Sequence, residues 1–224
     1  MKYVIGDIHG ESAKLIECLE LVSFNYETDT LISLGDVVDR GYDSYGCIEV
    51  LLKVKNLIAI RGNHDDAWFD YLKTGTQDFL WNQGAKETYF SYYNHGISPE
   101  VHFDFFAKQV YYYIDEENRL FVHGGFNRHF LIDDHKDLEI LLWDRDLLMA
   151  ARSYESMRDK TYPFKMKDQF KEVFVGHTPV QYFEDTNEPR LYANVWDLDT
   201  GCGKGAFPLT IMNVETKEYK QSKL

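Results

Sequence analysis

Six side chains able to hold a metal ion are spread through this sequence, and the four in the first third sit in three loops that each follow a short apolar run. Asp7 and His9 stand two residues apart in Gly6-Asp7-Ile8-His9-Gly10, so a turn at Gly10 could point both the same way. Asp36 lies in Gly35-Asp36-Val37-Val38-Asp39-Arg40-Gly41, Asn63 in Arg61-Gly62-Asn63-His64-Asp65, His123 before Gly124-Gly125, and His177 after Gly176. Carboxylate, amide oxygen and imidazole together suit Mn, Fe, Zn or Ni better than a soft-metal site, which wants thiolates. Six such groups exceed what one catalytic ion needs. Two ions sharing Asp36 is the economical arrangement, and ions about 3.5–4 Å apart can bridge a hydroxide, polarise a phosphoryl oxygen and stabilise in-line displacement. Any one Asp or His in a strand-end loop is more often a cap or a satisfied polar group. That explanation does poorly on the whole ordered set.

The elements that must position these residues follow a strand–loop–helix rhythm. Residues 2–5, 31–34 and 57–60 are apolar runs of the kind that form buried parallel strands. Between them, apolar positions at Ala13, Leu15, Ile16, Leu19 and Val22, and then at Ile48, Val50, Leu51, Leu52 and Val54, predict helices over 12–22 and 44–54. Repeated βαβ units bring the carboxyl ends of their strands to one crevice, where the three polar loops would converge. Residues 65–109 read as an aromatic-rich helical lobe, with Ser98-Pro99-Glu100 as a helix start inside it. A hairpin of 110–114 and 120–122 would deliver His123, and a strand at 173–175 would deliver His177. Helix is expected around Trp143-Asp144-Arg145, closing strands at 191–199 and 207–214, and a frayed tail from Thr216.

These ordered motifs resemble those of the calcineurin-like metallophosphoesterases, and within them the phosphoprotein phosphatase branch with its short bacterial and phage serine/threonine phosphatases. The resemblance runs over roughly residues 2–200. It implies a single α/β domain over 1–224, a four-layer α/β/β/α sandwich of two mixed sheets, with the helical lobe beside them. It also implies one ion on Asp7, His9 and Asp36 and a second on Asp36, Asn63, His123 and His177, with Mn the first expectation and Fe, Zn or Ni open. In that family pattern His64 is the general acid, Asp39 orients its imidazole, a hydroxide held by both ions is the nucleophile, and no phosphoenzyme forms. Arg40 and Arg61 flank the ligand loops and read as bidentate phosphate clamps, although Arg61 could equally pair with a nearby carboxylate. Asn63 also falls among the phosphate-binding positions, and Arg145 resembles a phosphate-contacting arginine of the bacterial and phage members. His95, His102, His129 and His135 match no motif. Two departures stand out: Asp65 replaces a common Glu, and Asn82-Gln83-Gly84-Ala85-Lys86-Glu87-Thr88 resembles Asn-Gly-Gly-x-x-Thr with Gln83 in a glycine's place.

The implied activity is a metal-dependent phosphomonoesterase, most naturally a serine/threonine protein phosphatase acting on phosphoproteins or small phosphoesters. The symmetrical dinucleoside-tetraphosphate hydrolases share the scaffold and loops; that branch typically lacks an acid at the position of Asp39, so Asp39 favours the protein phosphatase. A non-catalytic scaffold of the same fold would usually have lost a ligand or the acid, and none is lost. The chain has 224 residues and a net charge of −13, which disfavours nucleic acid or an anionic membrane as partner. The three cysteines show no C-x-x-C pair and read as reduced thiols, and with no signal peptide or membrane-length apolar run the expected setting is cytoplasmic. Oligomeric state and regulatory partners are not legible.

Overall fold

Alternation along the strands sorts the apolar residues onto three separate cores. In the computed structural model, which describes residues 1–77 and 79–223, Tyr3 and Ile5 of β1 (Lys2–Ile5) face one core while Val4 faces another. Leu120 and Val122 of β5 (Arg119–Val122) and Val173 and Val175 of β6 (Glu172–Val175) face a third, while Phe121 and Phe174 turn back and stack at 4.8 Å. Side chains on successive strand residues point to opposite faces, so strands buried on both sides make two sheets with helices outside.

With β2 (Thr30–Ser33) and β3 (Asn56–Ala59) parallel to β1, β9 (Thr210–Asn213) antiparallel to it and β10 (Tyr219–Gln221) on the outer edge, the first sheet runs β10-β9-β1-β2-β3. The second runs β4-β5-β6-β8-β7, with β4 (Tyr112–Ile114), β8 (Val195–Asp197) and β7 (Arg190–Tyr192) around the parallel pair β5 and β6. Helices α1 (Ser12–Leu21), α2 (Ser44–Leu51), α3 (Asn63–Thr74), α4 (Ala85–His95) and α5 (Phe103–Lys108) lie on the first sheet's side. Helices α6 (Glu139–Trp143) and α7 (Asp146–Glu155) cover the second. The expected α/β/β/α layering with two mixed sheets is what the chain adopts. Asp78, inside the expected lobe, and Leu224 lie outside the described residues.

Several boundaries differ from the sequence expectation for local reasons. Residues 191–199 are not one strand: Ala193, at φ 53°, turns the chain between β7 and β8. The helical stretch near Trp143 is broken at Asp144, whose extended backbone ends α6. The start at Ser98 is a 3₁₀ turn, Pro99–His102, before α5, and the Ser98 hydroxyl bonds Glu100 rather than capping the backbone. The tail is not frayed. Asn213 Oδ1 accepts the amides of Glu215 and Thr216, and the resulting turn returns β10 (Tyr219–Gln221) antiparallel onto β9.

At the end of the sandwich away from the ligand loops, Arg119 joins the two sheets. Its Nε lies 2.8 Å from Asp115, and its guanidinium reaches Glu215 at 2.6 and 2.9 Å and the Val214 carbonyl at 3.3 Å. Lys2 of the first sheet adds a 3.0 Å bond to the same Asp115. Burial alone would raise the Asp115 carboxyl, but the Arg119 amide, Lys2 and the guanidinium hold it below its ordinary value of 3.8. Arg119→Met leaves Asp115 buried without this partner and should cost about 3–5 kcal/mol in urea denaturation at pH 7. Because the folded carboxyl titrates below the unfolded one, its stabilisation is present above the unfolded pKa and lost as pH falls through the folded value. The gap between wild type and variant should therefore narrow in acid below that range.

Candidate metal centre

Each ligand loop begins where a parallel strand ends. Asp7 and His9 follow β1, Asp36 follows β2, Arg61 to His64 follow β3, His123 follows β5 and His177 follows β6. Backbone strain marks the same loops. Among the described residues ten non-glycine residues have positive φ, and five of them are His9, Asp36, Asp39, Arg40 and His177; such conformations persist only where surrounding structure enforces them, and they cluster at functional sites. Gly176 is required for a simpler reason. A Cβ there would lie 2.1 Å from Asp7 Oδ1, because the Asp7 carboxylate packs against that backbone and accepts the His177 amide at 3.1 Å.

Asp36 is the meeting point. Its Oδ1 accepts the His64 amide at 2.9 Å, near the amino end of α3, where the helix dipole favours a carboxylate. His9 Nε2 is 3.5 Å from its Oδ2 and His123 Nε2 is 3.4 Å from its Oδ1. Burial would raise Asp36, yet His123, His64 and His9 around it hold it well below the usual carboxylate range. Two clusters share it: His9, Asp36 and His64, and Asp36, His123 and His177, with potential ligand atoms within 4.8 Å of one another in each. Asn63 Oδ1 completes the second, 3.0 Å from His123 Nε2 and 2.9 Å from His177 Nδ1. Asp7 Oδ2 sits 4.0 Å from His9 Nε2, beside the first cluster. All six expected ligands therefore gather in one place.

The donor set fits a pair of divalent ions. His9 Nδ1 bonds the Val38 carbonyl at 2.9 Å and His123 Nδ1 the Leu34 carbonyl at 2.8 Å, so backbone orients both rings and turns Nε2 inward, the usual support of a ligating histidine. His177 Nε2 is buried without a hydrogen-bond partner. Burial, with the His123 charge, lowers the His177 pKa to about 2, leaving a neutral ring able to ligate. Burial and the neighbouring Asp199 and Asp36 push Asp7 well above its ordinary range, a crowding of acids that a cation would relieve.

His64 sits against this row with different partners. Its Nδ1 lies 2.6 Å from Asp39 Oδ2 and its Nε2 3.0 Å from Arg40 Nη2, while Arg40 Nη1 reaches His9 Nε2 at 2.5 Å. Thr88 secures Asp39 from the far side, donating to Oδ1 at 2.7 Å and accepting the Asp39 amide at 2.8 Å. Burial raises the Asp39 carboxyl, with the bonds from His64 and Thr88 opposing. The Asn82–Thr88 segment thus supports the pair through its threonine, and Gln83 lines the cavity.

That cavity, about 230 Å³, is lined by Arg40, Asn63, His64, Trp143, Arg145 and His177, together with Gln83, Tyr182 and Lys204. A larger surface groove of about 560 Å³ near Arg128, Tyr154 and Phe164 contains none of the ligand residues.

The same convergence appears in sequence. The family model for calcineurin-like phosphoesterases matches residues 3–196. The chain belongs to the calcineurin-like phosphoesterase family. That family implies hydrolysis of phosphoester bonds at a dinuclear site of divalent metal ions. Among relatives, Serine/threonine-protein phosphatase 1 of Salmonella typhimurium is 29% identical over 220 residues, covering 95% of this chain and 91% of that protein. A symmetrical bis(5'-nucleosyl)-tetraphosphatase of Wigglesworthia glossinidia brevipalpis is 38% identical over 64 residues, covering 28% of this chain and 24% of that protein. Among solved structures, one described as a candidate diadenosine tetraphosphatase superposes with a TM-score of 0.68 at 19% identity, covering all of this chain and 93% of the other.

One expected phosphate clamp is elsewhere. Arg61 turns away from the cavity: Nη1 bonds Asp66 at 2.8 Å, Nη2 bonds the Phe106 carbonyl at 2.6 Å, and the guanidinium lies 4.8 Å from the Phe69 ring. It ties α3 to α5, with Asp66 rather than Asp36 or Asp65 as its carboxylate. Among the histidines outside the motifs, His102 is buried between Tyr92 and Glu49. Arg61→Met should cost about 1–3 kcal/mol of stability by stranding the Phe106 carbonyl. The inhibition constant of inorganic phosphate should stay within about twofold of wild type, as for a residue that binds no substrate; a large loss of phosphate inhibition would return Arg61 to the clamp.

Proposed function

We propose that this family member is a metal-dependent phosphomonoesterase acting on phosphoserine and phosphothreonine, with Asp7, His9, Asp36, Asn63, His123 and His177 as ligands and Mn as the metal. The reading rests chiefly on the 2.6 Å pair of His64 and Asp39 beside the ligand row. Similarity to a bacterial serine/threonine phosphatase over nearly the whole chain supports it. Three free, buried cysteines suit a reducing compartment such as the cytoplasm; no helix among the described residues is long and apolar enough to cross a membrane.

When bound, the ions would supply Lewis-acid polarisation of a phosphoryl oxygen and a water acidic enough to attack at neutral pH. The protein's own groups do the rest. Arg40 offers two nitrogens, between His9 and His64, to hold equatorial phosphoryl oxygens, and Arg145 lines the same cavity. Water attacks phosphorus opposite the bond that breaks. As that bond lengthens, His64 Nε2 gives a proton to the leaving alkoxide oxygen, while Asp39 holds the ring by Nδ1 and stabilises its charged form. Thr88 keeps Asp39 in place.

A second reading, symmetrical cleavage of a dinucleoside tetraphosphate, is favoured by the tetraphosphatase relatives. A panel with Mn-loaded protein separates the two: phosphoserine and phosphothreonine peptides should turn over well and diadenosine tetraphosphate poorly, whereas rapid release of two ADP would reverse the ranking. Asp36→Asn should abolish metal-dependent turnover of p-nitrophenyl phosphate; retention of most of the rate would remove the shared-aspartate site. His64→Asn should lower kcat by about 10²–10⁴-fold on a phosphoserine peptide, and less on p-nitrophenyl phosphate, whose leaving group needs little protonation.

A further inference from the structure

Two cations at this cavity, Arg145 and Lys204, are held in no ion pair among the described residues. Arg145 makes a 3.5 Å contact with the Trp143 carbonyl. Both line the same cavity. Arg145 lies on the His177 side, two residues after Trp143, whose ring meets the His177 ring edge-on at 5.7 Å. Lys204 lies on the His9 side, because the backbone just before it is pressed against His9.

That placement is built into a short turn. Asp199 Oδ1 accepts the Gly201 amide at 2.9 Å, the Lys204 amide closes onto the Gly201 carbonyl at 3.0 Å, and the Cys202 thiol donates to the Ile8 carbonyl at 3.3 Å. At Gly203, φ is 80° and a Cβ would lie 2.4 Å from His9 Cβ, so the turn is seated directly on a ligand residue. The Lys204 side chain is exposed, and makes no hydrogen bond among the described residues. Partial burial of its ammonium lowers its pKa, while the buried carboxylate of Asp199 opposes and the charge of Arg40 adds to the lowering. Lys204 thus follows a turn seated on His9 and lines a cavity that also holds Arg40 and Arg145.

We propose that Lys204 is a substrate-binding residue that contacts the phosphoryl oxygens from the His9 side of the cavity, and so makes the site select dianionic phosphomonoesters over monoanionic diesters. This rests on the phosphomonoesterase reading and deepens it. Arg40 grips the phosphoryl group between His9 and His64, Arg145 meets it from the His177 side, and Lys204 from the His9 side. A diester presents one negative charge and a second substituent, and gains less from the third cation.

The experiment compares wild type, Lys204→Gln and Lys204→Arg, all Mn-loaded, by calorimetric titration with inorganic phosphate and by kinetics on p-nitrophenyl phosphate and bis(p-nitrophenyl) phosphate. Thermal midpoint and metal content serve as controls for folding and for the site. Lys204→Gln should weaken phosphate binding and raise KM for the monoester about five- to twentyfold, move KM for the diester by less than about twofold, and be partly rescued by Lys204→Arg. Unchanged phosphate affinity in Lys204→Gln, an equal effect on monoester and diester, or no phosphate binding by wild type overturns the proposal. Should wild type bind phosphate yet hydrolyse no monoester, the phosphomonoesterase reading fails while the phosphate titration still decides the role of Lys204.

Discussion

A buried carboxylate surrounded by imidazoles organises this molecule. Asp36 is 2% exposed, and it survives as an ion there because His123, His64 and His9 face it and the start of α3 donates to it. Those groups come from the ends of β1, β3 and β5, and Asp36 itself from β2, so the charge is satisfied only when these four strands stand in register and both sheets pack together. The inter-sheet core of Val4, Ile32, Phe121, Phe174 and Met212 supplies that packing. Stability and chemistry thus meet at one point: apolar burial aligns the strand ends, and the aligned ends concentrate acid and imidazole that only cations or protons can balance.

Around this centre the protein separates binding from proton transfer. His9, His123 and His177 have one ring nitrogen committed to backbone or to Asn63, or left without a partner, as ligands require. His64 differs, being held by a carboxylate that is itself held by Thr88. An imidazole paired with a buried acid suits proton transfer, whereas one oriented by a carbonyl suits ligation. Adjacent residues of one helix, Asn63 and His64, serve the two purposes because successive side chains leave a helix about 100° apart.

The ligand loops and the sandwich were legible because the pattern was local: short apolar runs, each ending in glycine and a polar cluster. The remainder depended on what lies across the fold. Arg61 neighbours a ligand in sequence, but α5 delivers the Phe106 carbonyl and α3 the Asp66 carboxylate that capture it. Thr88 could be matched to a motif, yet its grip on Asp39 spans 49 residues and carries no periodic signal. The last strand escaped notice because three mostly polar residues, Tyr219–Gln221, hold their place through pairing with β9 rather than through an apolar pattern. Lys204 could not be singled out, since nothing in Gly203-Lys204-Gly205 indicates that the turn rests on His9.

If Asp36 joins two cations at the edge where the sheets meet, both ions must lie within reach of its carboxylate. Crystals grown with Mn and measured at its absorption edge test it without reference to any substrate. Two anomalous peaks about 3.5–4 Å apart are expected, with the Asp36 carboxylate touching both, Asp7 and His9 on one side, and Asn63, His123 and His177 on the other. A single peak, or peaks that leave Asp36 unbound, would contradict it.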